Sequence, residues 1–213
     1  MAYWHIASWT KLLFPRLIWD FRGKEKILFL TFDDGPTPGI TEEVLEILDT
    51  YGAKATFFCL GRNVDRHPEL YHKILGKGHT VGNHTYSHLK GWKTPNELYY
   101  KDIELAGHNI QSRLFRPPYG QIKRVQAKYL VKHYTIVLWD VMSHDYESRI
   151  SKEKSLQAVL RYTKDGSILV FHDSKKAWPK LSYILPKVIE HFSEKGYKFE
   201  SVKIENGNLN GIS

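Results

Sequence analysis

A distorted (β/α) barrel of about seven parallel strands is the fold class the sequence predicts. Three observations lead to it. Short apolar runs alternate with amphipathic stretches along the chain, the pattern of parallel strands joined by helical crossovers. The runs are apolar without strict alternation, as expected where both faces of a sheet are covered. The chain has 213 residues, fewer than the roughly 250 of a complete eight-fold barrel. A reduced or distorted barrel therefore fits better, with an open doubly wound sheet as the alternative.

The elements follow in order. ILFLTF (27–32) reads as the first strand. TEEVLEILDTYG (41–52) reads as a helix. Glu42 and Glu43 suit its positive end, Val44, Leu45, Leu48 and Tyr51 make one apolar face, and Gly52 can stop it. ATFFCL (55–60) is the next strand and holds the single cysteine, Cys59. Its apolar neighbours make Cys59 a buried core thiol, and one cysteine allows no internal disulfide. A helix over 68–77 ends at Gly78, and HTVGN is a short strand. TPNELYYKDIELAGHNIQSRL is a helix in which Thr94 caps, Pro95 takes the first position and Glu97 completes a capping box. LFRPP, a helix near 123–132, the strand TIVLW, a helix near 152–163, the strand SILVF, a helix over roughly 181–195 and YKFESV complete the series. No repeat or linker interrupts it, so one domain is expected over 27–213, preceded by an N-terminal strap over 1–26.

Composition narrows the function classes. The net charge is +8, from 31 Lys+Arg against 23 Asp+Glu, which favours an anionic partner or simply solubility. There is no nucleic-acid motif and no long basic run, so no nucleic acid is expected. No stretch approaches the ~18 apolar residues of a transmembrane helix. The N-terminal MAYWHIASWTKLLFPRLIWDFRGK lacks the roughly 7–15-residue apolar core of a signal peptide. In it Trp4, Trp9, Phe14 and Trp19 alternate with Lys11, Arg16 and Arg22. That pattern suits peripheral contact with a membrane interface or, the favoured reading, a strap packed on the outside of the domain. Pro15 interrupts any single helix there.

The polar residues fall at strand ends. Asp33 and Asp34, in TFDDGP, follow the first strand. His84 and His88, in NHTYSH, follow the third. Arg116 and Tyr119, in RPPYG, follow the fourth. Asp140 and Asp145, in WDVMSHDY, follow the fifth, and His172, in LVFHDS, ends the sixth. In α/β barrels the strand C-termini share one rim, and that rim carries the active site. Asp and Gly-Pro after a strand also suit a plain turn, but turn chemistry does not explain five such segments. On a helical turn His84 and His88 would share a face and could meet one metal. With Asp34 they make a three-ligand set that leaves room for water, the catalytic pattern for zinc. Water beside such a metal needs a base, and Asp33 is placed to serve.

Together TFDDGP, HTYSH, RPPYG, WDVMSHDY and LVFHD resemble the ordered motifs of the polysaccharide deacetylase family, the NodB-homology domain or carbohydrate esterase family 4. The resemblance covers roughly 27–202. It implies a distorted (β/α) barrel and hydrolysis of N-acetyl groups on an acetylated amino-sugar glycan such as chitin oligomers or peptidoglycan. It implies Asp33 as catalytic base, Asp34, His84 and His88 as metal ligands with zinc the usual ion, and Arg116 as the residue that orients the base. Tyr119 would offer its backbone N–H to the oxyanion, His172 would be the general acid, and Asp145 would tune it. Two positions depart from the family pattern: Tyr146 stands where Trp is frequent, and Val170 where Leu is. Both touch substrate fit more than chemistry. His144 belongs to no motif, and an exposed loop residue is the favoured reading. The competing readings are action on another acylated substrate and a glycan-binding domain without turnover. Location is left open, cytoplasmic by the N-terminus and cell envelope by the resemblance.

Overall fold

The computed structural model describes residues 4, 11, 14–21, 23–205 and 208–209. Its strands are β1 (Ile27–Asp33), β2 (Ala55–Cys59), β3 (Thr80–Asn83), β4 (Leu114–Phe115), β5 (Thr135–Ile136), β6 (Val141–Met142), β7 (Ile168–His172) and β8 (Lys198–Phe199). Its helices are α1 (Ile40–Thr50), α2 (Gly61–Arg66), α3 (Pro68–Gly76), α4 (Asn96–Gly107), α5 (Arg124–Leu130), α6 (Lys152–Tyr162) and α7 (Trp178–Glu194). Seven parallel strands run in the order β5-β4-β3-β2-β1-β7-β6, and β8 adds to the start of β1. The sheet curls into a half-barrel, as the alternation of apolar runs and helices predicted. A small antiparallel hairpin, β9 (Ile204–Glu205) with β10 (Asn208–Leu209), follows the barrel.

Strand parity decides which residues reach the site. Side chains of a strand alternate between faces. In β1, Leu28, Leu30 and Phe32 join the core beneath α1 and α7, while Phe29 joins the core inside the curl. In β7, Leu169 and Phe171 take the helix side, and Ile168 and Val170 the inner side. Asp33 and His172 continue the inner rows, one residue beyond the last apolar side chain. Two cores thus sit on opposite faces of one sheet, and the polar site caps the inner one. Phe29 is fully buried within that inner core. Truncation of such a side chain to Ala typically costs about 3–5 kcal/mol.

The N-terminal segment contributes to the fold where it is described. Ile18 N donates to Ile136 O (2.9 Å) and accepts at its own carbonyl from Leu138 N (2.7 Å). Asp20 bridges Ser167 in antiparallel sense. Residues 17–21 therefore span from the β5 edge towards β7, across the open side of the curl. Leu17 and Phe21 are buried in the inner core. The Lys11 ammonium pairs with Asp20 and, at 2.7 Å, with the fully buried Asp140. Met142 N donates to Trp4 O (3.1 Å) at the β6 edge of the sheet. Trp9 and Arg22 lie outside the described residues.

Local expectations changed in three places. The helix predicted from Thr94 starts at Asn96 and ends at Gly107. The Thr94 hydroxyl donates instead to Lys90 O (2.8 Å), closing the preceding 3-10 turn, so it does not cap. The one-and-a-half-turn α2 and the two-residue β6 were not foreseen, because elements that short carry no readable period.

Candidate active site

The backbone at the strand ends is unusual. Asp34, Thr85, His88, Tyr119 and His144 all adopt positive φ, between 51° and 83°. Non-glycine residues avoid this region, and such strain collects at functional sites. At the HTYSH segment it corrects the helical-turn expectation: residues 84–88 form no helix. The left-handed Thr85 and His88 instead fold the chain back, so that both imidazoles face Asp34. Thr85 N donates to Asn83 Oδ1 (2.8 Å), and His88 N donates to Thr85 Oγ1 (2.9 Å), which fixes that turn.

Asp34, His84 and His88 form a cluster whose ligand atoms lie within 4.8 Å of one another and which could hold a metal ion. His88 Nε2 lies 3.1 Å and His84 Nε2 3.8 Å from Asp34 Oδ1. These spacings bracket the roughly 3.3 Å that two ligands keep around a tetrahedral ion with bonds near 2 Å. The chemistry of the donors also fits. His84 Nδ1 is 2.8 Å from the Arg116 carbonyl. A carbonyl only accepts, so Nδ1 carries the proton and Nε2 presents a lone pair. Burial first, then the neighbouring His88, pushes the His84 pKa down to about 4, against the pull of Asp33. Burial raises the Asp34 carboxyl, yet the His88 hydrogen bond and the surrounding imidazoles hold it well below the usual carboxylate range. Asp34 Oδ1 is buried, and His88 Nε2 approaches it at 3.1 Å. A lone pair and an anionic oxygen converge on one point, which suits a cation.

Asp33 sits beside this cluster, 3% exposed. Arg116 holds it. Nη1 donates to Asp33 Oδ1 (2.8 Å) and Thr31 Oγ1 (2.7 Å), Nε to Val137 O (3.1 Å), and Nη2 to Leu138 O (2.8 Å). Its guanidinium also lies 4.1 Å over the Phe58 ring. Arg116 is fully buried. A buried cation of this kind persists only when paired and hydrogen-bonded, which fixes both Arg116 and the carboxylate it grips.

His172 faces Asp33 from the next strand. Asp145 grips it twice: Oδ1 lies 2.8 Å from His172 Nδ1, and Oδ2 accepts from His172 N at 2.8 Å. That occupies Nδ1 and leaves Nε2 as the nitrogen able to exchange a proton with a ligand. Burial pulls the His172 pKa down, but the charge and hydrogen bond of Asp145 overcome this and carry it up to about 9. Tyr119 stands at the mouth, half-exposed, with its ring 4.6 Å from that of His88.

All these groups open into one cleft of about 950 Å³, lined among others by Asp33, Asp34, His84, His88, Tyr119 and His172. Arg116 and Asp145 stand behind it. Asp140 does not join them: it is committed to Lys11 and to Ser167 Oγ (2.8 Å). His144 is no plain surface residue, since it lines the cleft and packs edge-on against Trp4 at 4.8 Å.

Three supporting residues went unforeseen. Asp173 is buried behind the DDGP turn, where Oδ1 accepts from Gly35 N (3.0 Å) and Oδ2 from Thr41 Oγ1 (2.6 Å). Thr41 Oγ1 in turn accepts from Thr37 N (2.8 Å). Asn63 Nδ2 donates to Asp34 O (2.7 Å). The acidic residue next to His172 was a signal for Asp173; nothing in the sequence marked Thr41 or Asn63.

Comparison with known proteins shows the family and the fold. Residues 21–136 match the family model described as polysaccharide deacetylase. A peptidoglycan-N-acetylglucosamine deacetylase of Bacillus cereus is 34% identical over 86% of this chain and 90% of its own length. Chitin deacetylase 2 of Saccharomyces cerevisiae is 35% identical over 75% of this chain, which spans 54% of that protein. The crystal structure of the Bc1960 peptidoglycan N-acetylglucosamine deacetylase, in complex with 4-naphthalen-1-yl-N-oxidanyl-benzamide, superposes with a TM-score of 0.83. Its identity is 29%, over 87% of this chain and 90% of that one.

Proposed function

Since the chain belongs to the polysaccharide deacetylase family, we propose that it is a metal-dependent hydrolase of N-acetyl groups on glucosamine-type sugars of a glycan, a chitin oligomer or peptidoglycan. The observation that carries the reading is the pairing of two proton-handling groups beside one metal-type cluster: Asp33 held by Arg116, and His172 held by Asp145.

Asp34, His84 and His88 would hold the ion, most simply zinc, given two imidazoles and one carboxylate. When bound, it supplies Lewis-acid polarisation and eases deprotonation of water. The chain's own residues then divide the work. Asp33 takes the proton of the attacking water, oriented for it by Arg116. The new C–O bond forms at the acetamide carbon, and charge collects on the carbonyl oxygen. The Tyr119 backbone N–H would stabilise that charge. His172 Nε2 gives its proton to the amine nitrogen as the C–N bond breaks, because an amine leaves poorly without one. Asp145 keeps that proton on His172 until it is needed. The products are acetate and a free amino sugar. The catalytic unit would be 27–213, with the N-terminal segment completing its core.

The test is acetate release from N-acetylglucosamine oligomers and from peptidoglycan by protein stripped with a chelator and then reloaded with zinc. Release that vanishes on stripping and returns on reloading is expected. Equal release by stripped and reloaded protein contradicts metal dependence, and no release in any state contradicts the deacetylase reading.

A further inference from the structure

We propose that Trp4, from the N-terminal segment, is a positioning residue of the cleft: it holds His144 in the wall against which a glycan lies, next to Tyr146 and His172. The inference rests on the deacetylase reading above and assigns substrate contact to His144, a residue with no role in that reading. Both Trp4 and His144 lie outside residues 21–136, which the family model matches.

The chain through and beyond β6 alternates. Val141, Ser143 and Asp145 are buried, while Met142, His144 and Tyr146 line the cleft. Asp145 therefore grips His172 from behind, and its neighbours on either side face the substrate. His144 reaches the cleft with a left-handed backbone, φ 51°. A non-glycine residue keeps that conformation only where its surroundings impose it. Glu147 N donates to His144 O (3.1 Å) and Asp145 N to Ser143 Oγ (3.3 Å), which holds the backbone. The side chain is held from Trp4.

Trp4 meets this stretch through both its backbone and its ring. Asp140 N and Ser143 N donate to the carbonyls of Ile168 (3.0 Å) and Val170 (3.1 Å) on β7, whereas Met142 N donates to Trp4 O (3.1 Å). That bond sets the Trp4 backbone beside β6, just before His144. The indole then meets the His144 imidazole edge-on, with centroids 4.8 Å apart and planes at 78°, the T-shaped arrangement that aromatic rings favour. The rings continue inward: His144 lies 6.0 Å from Tyr146, and Tyr146 meets His172 edge-on at 4.8 Å. A file of rings thus runs from the N-terminal segment to His172. Trp4 stands behind the cleft and His144 in its wall, so Trp4 acts through His144. An imidazole offers a sugar a flat face and ring nitrogens for its hydroxyls. Fixing its orientation before the glycan arrives lowers the entropy cost of binding.

The experiment measures kcat and KM for acetate release by the full chain, loaded with zinc, on an N-acetylglucosamine pentamer and on peptidoglycan. Trp4→Ala is expected to raise KM about three- to tenfold, the range set by one aromatic pair, with kcat within about twofold. The alkaline limb of the pH profile should stay in place, because the Asp145 grip on His172 does not pass through Trp4. Trp4→Phe keeps a ring and should recover most of the wild-type KM. His144→Ala should raise KM at least as much as Trp4→Ala. Adding Trp4→Ala to it should change KM by less than about twofold, since residues acting through one contact are not additive. A merely structural role for Trp4 gives another pattern: a lowered urea midpoint with KM unchanged, or effects of the two substitutions that multiply. Either overturns the inference. Should Trp4→Ala fail to fold, His144→Ala decides, since its side chain is at the cleft surface; a wild-type KM there overturns the inference too. These results leave the deacetylase reading standing. No acetate from wild type on either substrate overturns that reading, and this inference with it.

Discussion

Asp33 and His172 are register partners on adjacent parallel strands, paired Cα to Cα at the C-terminal edge of the sheet. Strand parity turns both side chains inward, and each is held by a buried partner of opposite charge, Arg116 and Asp145. A carboxylate and an imidazole therefore face one cleft from neighbouring strands, at a distance set by the sheet and not by loops. The charge and hydrogen bond of Asp145 outweigh burial and carry the His172 pKa up to about 9, so His172 keeps its proton at neutral pH.

Asp33→Asn keeps the shape and the Arg116 contact but removes the proton acceptor. A fall in kcat of about 10²–10⁴ is expected, with metal content unchanged. Metal analysis of the purified variant alongside initial rates checks both halves.

His84→Ala removes one donor of the proposed metal site, whose ring is fixed by the Arg116 carbonyl. Turnover and bound metal should be lost together. Titration with zinc should show binding weakened by at least about tenfold, since even the outer partners of a metal site are typically worth 10–100-fold in affinity. Stoichiometric metal in this variant would remove His84 from the ligand set.

The pH profile should report His172. It can donate only while protonated, so activity persists below its folded pKa and falls as pH rises through it. That value is raised to about 9. Asp34 supplies part of the increase, and a bound cation offsets that part, so the alkaline limb should lie at or below about 9. Asp145→Asn removes the charge that counters burial, and the limb should move to lower pH. A limb unmoved by Asp145→Asn would mean that another group sets it.

Much of this site was legible in the sequence because its chemistry sits at strand ends, and strands of buried apolar residues are easy to read. TFDDGP, RPPYG and LVFHD each follow such a run, so the parallel sheet brings Asp33, Arg116 and His172 together. The HTYSH turn was harder. The spacing suggested a helix, whereas left-handed Thr85 and His88 do the work, and local strain leaves no periodic trace. The Asp173–Thr41 link joins residues 132 positions apart by one hydrogen bond, which no local pattern encodes. The pairing of Ile18 with Val137 was hidden for the same reason. Cys59, expected as a core thiol, is fully buried, and burial pushes its thiol pKa up.

Gly35→Ala tests the support behind the DDGP turn. A Cβ there would lie 1.9 Å from Asp173 Oδ2 and 2.5 Å from its Cγ, in a buried carboxylate already committed to Gly35 N and Thr41. The Asp173 carboxylate must shift, which breaks at least one buried hydrogen bond. The expected loss is about 1–3 kcal/mol, with weakened metal binding because Asp34 is the preceding residue. Urea unfolding and metal titration of the same preparation check this. Unchanged midpoint and affinity would show that the turn is not held from behind.

The most direct measurement quantifies acetate release and bound zinc side by side, for wild type and Asp33→Asn, on acetylated glucosamine oligomers and peptidoglycan. The predicted result is one zinc on each protein and acetate from wild type alone. Equal acetate from both would remove Asp33 as the base. Zinc on both with acetate from neither would show that this site, though assembled, does not hydrolyse N-acetyl groups.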